Sequence, residues 1–159
     1  MQSLFFKAAK LGDNKPLEQG VNSDNIDTPH EINGYTILCF ACANNQVDTV
    51  RLLLEQGADV NLQTTRSRSS ALMLAAQNGH EKVIDLLLTA PLIDFTLHNA
   101  EGNNALMLAV SMGHLPIVEK LINGSDLTHL NNNGDSVFHL GDKPSINDVL
   151  INHLPHTPH

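Results

Sequence analysis

Four stretches of this chain are one phrase rewritten: TILCFACANNQVDTVRLLLEQGADVN, SALMLAAQNGHEKVIDLLLTAPLIDF, NALMLAVSMGHLPIVEKLINGSDL and the more eroded SVFHLGDKPSINDVLINHL. Anchored on Leu38, Leu72, Leu106 and Phe138, they step by 34, 34 and 32 residues. Ahead of them LFFKAAKLGD repeats the start of the phrase, with Ala8 and Ala9 standing where Ala75 and Ala76 stand later. A repeat of this length cannot bury its apolar face alone, so the chain is constrained to stack five units into a solenoid.

Each unit opens with a small polar residue before an apolar run: Thr36, Ser70, Asn104 and Ser136. Side-chain oxygens at these positions can accept the free N–H groups of a first helical turn, which predicts a helix start at each. The first helix is small and apolar, as in Ala71 to Ala76 and Ala105 to Val110, and its alanines permit close helix approach. Asn78-Gly79-His80 and Met112-Gly113-His114 break it, glycine suiting the left-handed end of a helix. The chain then restarts in a second, amphipathic helix, expected over Val47 to Gln56, Glu81 to Leu88 and Leu115 to Ile122. Leu52-Leu53-Leu54 and Leu86-Leu87-Leu88 are expected to face the stack, and Arg51, Glu55, Lys82 and Asp85 to face water. Polar connectors such as Gly57 to Asn61 and Asn99 to Asn103 carry turn residues and are expected to project as fingers.

These residues resemble the ankyrin repeat family. The family's Gly-x-Thr-Pro-Leu-His start is matched in part by Gly34-Tyr35-Thr36-Ile37-Leu38, its paired alanines by Ala75-Ala76, its Gly-His by Gly79-His80, its Val-x-x-Leu-Leu helix by Val50 to Leu54, and its Gly-Ala-Asp-Val-Asn by Gly57 to Asn61. The likeness covers about residues 3 to 154. No unit keeps the helix-starting proline, replaced by Ile37, Ala71, Ala105 and Val137, and only the last keeps the histidine, as His139. The first unit has a short second helix around Pro16-Leu17-Glu18 and a long connector from Val21 to Asn33. The last has Gly141 and Asp142 where alanines belong and Pro144 near the helix end. Atypical outer units suit caps whose outer faces meet water. The expected organisation is an all-α solenoid of helix-turn-helix units with projecting finger loops. It comprises an N-terminal capping repeat and connector at 1–33, repeats at 34–63, 64–98 and 99–130, and a C-terminal capping repeat with tail at 131–159.

A formal charge of −8 with only nine lysines and arginines argues against a nucleic-acid binder, because phosphate binding needs a dense cationic surface. Two cysteines three residues apart cannot build a disulfide framework, so a reducing compartment is expected, the cytoplasm first, with nucleus and host-cell cytosol as alternatives. The N-terminus lacks a basic region followed by an apolar run and a cleavage site, and no apolar stretch approaches membrane-spanning length, so neither secretion by a classical signal nor membrane insertion is expected.

Cys39-Phe40-Ala41-Cys42 has the spacing of a redox pair or half a zinc site. Both cysteines fall inside an apolar helix, and no second pair completes a tetrahedral site, so packing is the preferred reading. In the resembled family the histidine after the helix-ending glycine braces the turn, which gives His80 and His114 structural roles. His153, His156 and His159 would align on a polyproline helix and could hold a divalent metal weakly, against the simpler reading of a frayed tail. No nucleophile with base and orienting group recurs in motif form and no phosphate-cradling glycine loop is present, so neither catalysis nor a cofactor is expected.

By the same resemblance, the finger tips and first-helix ends line a concave face used for partners. Position by position these are Ile32, Asn33 and Tyr35 with Ala43 and Asn44; then Arg66, Ser67, Arg68 and Ser69 with Gln77 and Asn78; then Ala100, Glu101 and Asn103 with Ser111 and Met112. Asn132, Asn133 and Asp135 continue the row. Arg66 and Arg68 are two of only three arginines in an acidic chain, and an acidic or phosphorylated partner segment could engage them bidentately. The expected function is a non-enzymatic protein-protein interaction module, acting as a monomer. The alternatives are the recognition part of a larger enzyme or multidomain protein, and a bacterial effector acting on host proteins.

Overall fold

Four small polar residues set the frame of the molecule. Described over residues 1–155 by a computed structural model, the chain forms ten α-helices and no strand among those residues. They pair as α1 (Gln2–Leu11) with α2 (Asn14–Gly20), α3 (Ile37–Ala43) with α4 (Val47–Glu55), α5 (Ala71–Asn78) with α6 (Glu81–Leu87), α7 (Ala105–Ser111) with α8 (Leu115–Leu121), and α9 (Val137–Leu140) with α10 (Pro144–Asn152). Thr36 Oγ1 accepts the Cys39 N–H at 3.1 Å, Ser70 Oγ the Met73 N–H at 3.3 Å and Asn104 Oδ1 the Met107 N–H at 2.9 Å. The fourth start works differently. There the Ser136 N–H donates to His139 Nδ1 at 3.0 Å, so the histidine retained only in this unit reaches back to the helix start.

α2 is capped by Asp13, whose Oδ1 accepts the Lys15 N–H at 3.3 Å, but the four later second helices begin without such caps. Instead, the residue preceding each helix reaches back one unit to a carbonyl near the end of a first helix. Gln46 Nε2 donates to Lys10 O at 3.0 Å, His80 Nε2 lies 3.0 Å from Ala43 O, and His114 Nε2 lies 3.1 Å from Gln77 O. Lys143 repeats the device with its Nζ on Gly113 O at 3.1 Å. Each of these carbonyls would otherwise lack an intrahelical partner, so one position along the solenoid links successive units with an amide, two imidazoles and an ammonium. Pro144 opens α10 instead of lying near its end, consistent with proline's preset φ and missing donor.

The first helices stack in one row, α1 on α3 on α5 on α7 on α9, and the second helices in another, α2 on α4 on α6 on α8 on α10. Alanines and a cysteine fill the closest approaches: Ala9, Ala41, Cys42, Ala75, Ala76 and Ala109 are fully buried. Leu17, Leu53, Leu87, Leu121 and Leu150 run through the second row, each with no exposed surface. Burying one such leucine contributes about 1.5–3 kcal/mol, which is how short helices persist here.

Three more expectations are corrected. Of each leucine triplet only Leu53 and Leu87 are buried, while Leu52, Leu54, Leu86 and Leu88 are partly exposed at the sides of their helices. A 3.6-residue period cannot turn three consecutive side chains to one face. Phe138 also departs from its phase partners Leu38, Leu72 and Leu106: they are at most 1% exposed and it is 36% exposed. α9 is four residues long and packs on one first helix only, α7. The second helices end at Glu55, Leu87 and Leu121, one residue earlier than the pattern suggests, the last running into a 3-10 turn over Ile122–Gly124.

Candidate partner-binding surface

Between each second helix and the next first helix the chain makes a finger closed by a backbone hydrogen bond. The closing bonds are His30 N–H to Tyr35 O at 2.8 Å, Thr64 to Ser69 at 2.9 Å, Asn99 to Asn103 at 2.9 Å and Asn131 to Asp135 at 2.9 Å. The residue before each closing carbonyl has positive φ: Gly34, Arg68, Gly102 and Gly134. Neighbouring tips bond to one another, Ala100 N–H to Ser67 O at 2.9 Å and Asn132 N–H to Glu101 O at 3.0 Å, with Asn132 Nδ2 donating to Ala100 O at 2.8 Å. Asparagines and glutamine tie the fingers lower down: Asn131 Nδ2 donates to Asn103 Oδ1 at 2.9 Å and Gln63 Nε2 to His98 O at 2.9 Å. The last three tips thus form a braced row and the first finger packs on the second, Gly34 lying against Thr65, with little backbone ordering left to a binding event.

The sequence-chosen residues divide along this row into presented and structural groups. Ile32, Arg66, Ser67, Arg68, Gln77, Glu101, Ser111 and Met112 are exposed, Ile32 at 70% and Met112 at 53%. Asn78 is exposed at its residue surface, yet its Nδ2 donates to Leu74 O at 2.7 Å and closes its own helix, as Asn44 Nδ2 does on Phe40 O at 2.8 Å. Asn33 Oδ1 accepts the Tyr35 N–H at 3.0 Å, and the half-buried Asn103 lies 3.3 Å from Glu101 Oε2. Ser69 is 5% exposed inside its finger, so its side chain is not offered to a partner, and Ala43 contributes its carbonyl to His80. Asn132 and Asn133 are exposed, and Asp135 is half-buried.

At one end of the row lies a feature that periodicity did not announce. Phe40 is the hub of an aromatic cluster, 5.0 Å from Tyr35, 5.4 Å from Phe6 and 5.8 Å from His30 between ring centroids, with His30 a further 4.8 Å from Phe6. Phe40 and Tyr35 are half-buried. Burial of Tyr35, then the neighbouring Cys39, pushes its phenol up. Beside the cluster a small hollow of ≈ 180 Å³ is lined by Phe6, His30 and Ile32 among others. The only available signal was compositional: three of the chain's six Phe and Tyr residues sit in this cluster.

Cys39 and Cys42 are buried free thiols. Burial pushes both up, Cys42 further, with the Thr36 hydroxyl partly offsetting the effect on Cys39. A protonated buried thiol is neither a nucleophile nor a ready metal ligand. Among the described residues no three His, Cys, Asp or Glu side chains converge as a metal would require. His156 and His159 of the tail triplet lie outside the described residues, and His153 closes α10 in a helical conformation, its Nδ1 2.9 Å from Val149 O. No helix among them is long and apolar enough to cross a membrane.

Comparison with known proteins agrees with this geometry. A family model for three copies of the ankyrin repeat matches residues 5–97, and a model for the single ankyrin repeat matches residues 101–132. The chain is 40% identical over 72 residues to the ankyrin repeat and KH domain-containing protein mask of Drosophila melanogaster, covering 45% of this chain and 2% of that protein. It is 38% identical over 66 residues to human ankyrin repeat domain-containing protein 40, covering 41% and 18% respectively. With mouse Rabankyrin-5 it is 32% identical over 89 residues, covering 56% and 7%. The chain therefore spans less than a fifth of each of these relatives.

Proposed function

The chain belongs to the ankyrin repeat family, and we propose that it is a non-enzymatic module that holds a partner protein along its finger face. The observation that carries this reading is the row of tips, which has an aromatic cluster at one end and Arg66 and Arg68 on the finger of the third unit, with Met112 exposed at the end of α7. Arginine, tyrosine and methionine are enriched at interfaces, and aromatic and arginine side chains at hot spots, where a rigid scaffold minimises the ordering cost of binding. The two arginines have no ion-pair partner among the described residues and stand in a chain of charge −8, so they favour a partner segment carrying carboxylates or a phosphate. The module acts as a monomer in this reading, since the row offers a surface to a foreign segment and needs no second copy.

The relatives' lengths favour a second reading, in which these repeats are the recognition part of a longer protein with further activities. One matched relative is described as a transient receptor potential cation channel and another as a probable E3 ubiquitin-protein ligase.

Single alanine replacements of Tyr35, Arg66 and Met112, measured against a partner captured from cell extract, test the finger face. At least one replacement is expected to cost about 2 kcal/mol of binding or more without lowering the melting temperature in proportion. Normal binding by all three, with loss on changing the outer-helix residues Lys82, Asp85 and Glu119, removes the reading.

A further inference from the structure

Away from the finger row, a cleft of ≈ 750 Å³ opens between the C-terminal turns of α4 and α6 and the connectors leaving them. Leu54, Val60, Leu86, Pro91 and Leu92 give it apolar walls, and no residue of a fingertip or a first helix lines it. Its volume falls in the range of ligand-binding clefts. Leu92 is 79% exposed.

The next junction along the stack shows what fills the equivalent space. Leu87 and Leu121 are matching buried positions, which places Leu86 where α8 has Lys120. Lys120 Nζ straps α8 to α6, 2.8 Å from Asp85 and 3.5 Å from Glu81. At the cleft that strap is gone, because Leu86 replaces the lysine and Arg51 replaces Asp85 and is turned to its own helix's Asp48 at 2.8 Å. The connectors register through a shared turn, in which Asp59 Oδ1 accepts the Asn61 N–H at 2.9 Å and Asp94 Oδ1 the Thr96 N–H at 2.8 Å. The residue between is Val60 in one and Phe95 in the other. Phe95 lays its ring on Gly124, with two ring carbons 2.9 Å from where a Cβ would stand. One junction is therefore closed by a phenyl ring and an ammonium supplied by the chain itself. Its neighbour has a valine and a leucine in their places and is open.

We propose that this cleft is a second docking site, taking a protein segment that inserts one aromatic side chain flanked by lysine or arginine. The aromatic side chain supplies what Phe95 supplies one unit on, and the flanking cations meet carboxylates that the chain leaves without a cation at the rim. The rim is complementary to them. Glu55 and Asp59 are exposed carboxylates lining the cleft with no ion-pair partner among the described residues, while its one cation, Arg51, is engaged by Asp48. The site is independent of the finger-face reading.

The test is titration of the whole chain with the blocked peptide Lys-Lys-Phe-Lys-Lys, followed by calorimetry and backbone amide shifts. Saturable binding is expected, with shifts confined to residues 54–61 and 86–92 and with affinity falling as salt rises. Leu86→Lys, which puts an ammonium at a partly exposed position of the cleft wall, and Val60→Phe, which refills the cleft from within, are each expected to weaken binding by about tenfold or more. Replacing the peptide's phenylalanine by alanine should do the same, and Arg66→Glu should leave binding intact. Absence of saturable binding, shifts on the finger row, or full affinity in a folded Leu86→Lys protein each overturns the proposal.

Discussion

Arg68 occupies, at φ 53°, the fingertip position that Gly102 occupies at φ 81° one finger later. Gly34 and Gly134 fill the same position in the second and fifth units. The finger holds the arginine there firmly: Gln63 Nε2 donates to its carbonyl at 2.6 Å, and Thr64 Oγ1 accepts the next N–H at 3.0 Å. A side chain with a Cβ is strained in this region, and such strain persists where the residue serves a purpose.

Stability and binding should therefore move in opposite directions at this position. The left-handed backbone costs an L-residue roughly 1–2 kcal/mol, and glycine's extra unfolded-state freedom offsets part of that gain. Arg68→Gly is expected to stabilise the fold by about 0.5–1 kcal/mol in urea unfolding while weakening finger-face binding. Asn45 provides a control away from the tips. At φ 58° it stands where Gly79 and Gly113 end the later first helices, so Asn45→Gly should change stability little or raise it and leave binding alone. A destabilised Arg68→Gly protein would show that the arginine is there for the fold.

The thiols give the protein a dependence on alkaline pH. Cys39 and Cys42 titrate higher in the folded state because burial disfavours the thiolate. An unfolded thiol ionises at about 8.5, so the unfolded chain sheds protons first and stability drops as pH rises past that value. The contribution is complete below it. Cys39→Ala/Cys42→Ala should flatten the decline measured by melting between about pH 8 and 10, leaving the part that Tyr35 adds at higher pH. Rapid labelling of the native protein by a thiol reagent at neutral pH would contradict the burial on which this rests.

Gln46 and His80 perform one task with different chemistry, each donating to a carbonyl one unit back at 3.0 Å. His80→Gln should thus retain most of the stability, whereas His80→Ala should lose about 0.5–1.5 kcal/mol, the net worth of a hydrogen bond. Equal losses in both variants, read by chemical unfolding, would mean that ring packing and not the bond links the units.

The repeat was legible in the sequence because its signals are local. Thr36, Ser70 and Asn104 announce helix starts through chemistry with the next three residues, and the alanine pairs and helix-ending glycines recur in phase. What escaped depends on contacts between units. Phe40 reads as one more apolar residue of α3, and only the fold gathers Phe6, His30 and Tyr35 around it. The openness at Leu86 follows from Val60 and Arg51, residues on another unit. Ser69 shows the reverse error, because its place beside exposed tip residues conceals a side chain folded into the finger.

Leu87 tests the stacking on which every surface described above depends. It is fully buried in α6, which packs against α4, α5 and α8. Leu87→Ala removes apolar contact and leaves a cavity where units meet, an expected loss of about 2–5 kcal/mol. The loss should reach both neighbours, because units in a solenoid stabilise one another across their interfaces. Hydrogen exchange of the parent protein should be slowest from Leu72 to Leu108 and fastest in 13–33 and 141–155, where the flanking units are atypical. In the variant, protection should fall in α4 and α8 together with α6. Unchanged melting, or protection lost in α6 alone, would mean that the units are not coupled through this row and that the finger face is not one continuous surface.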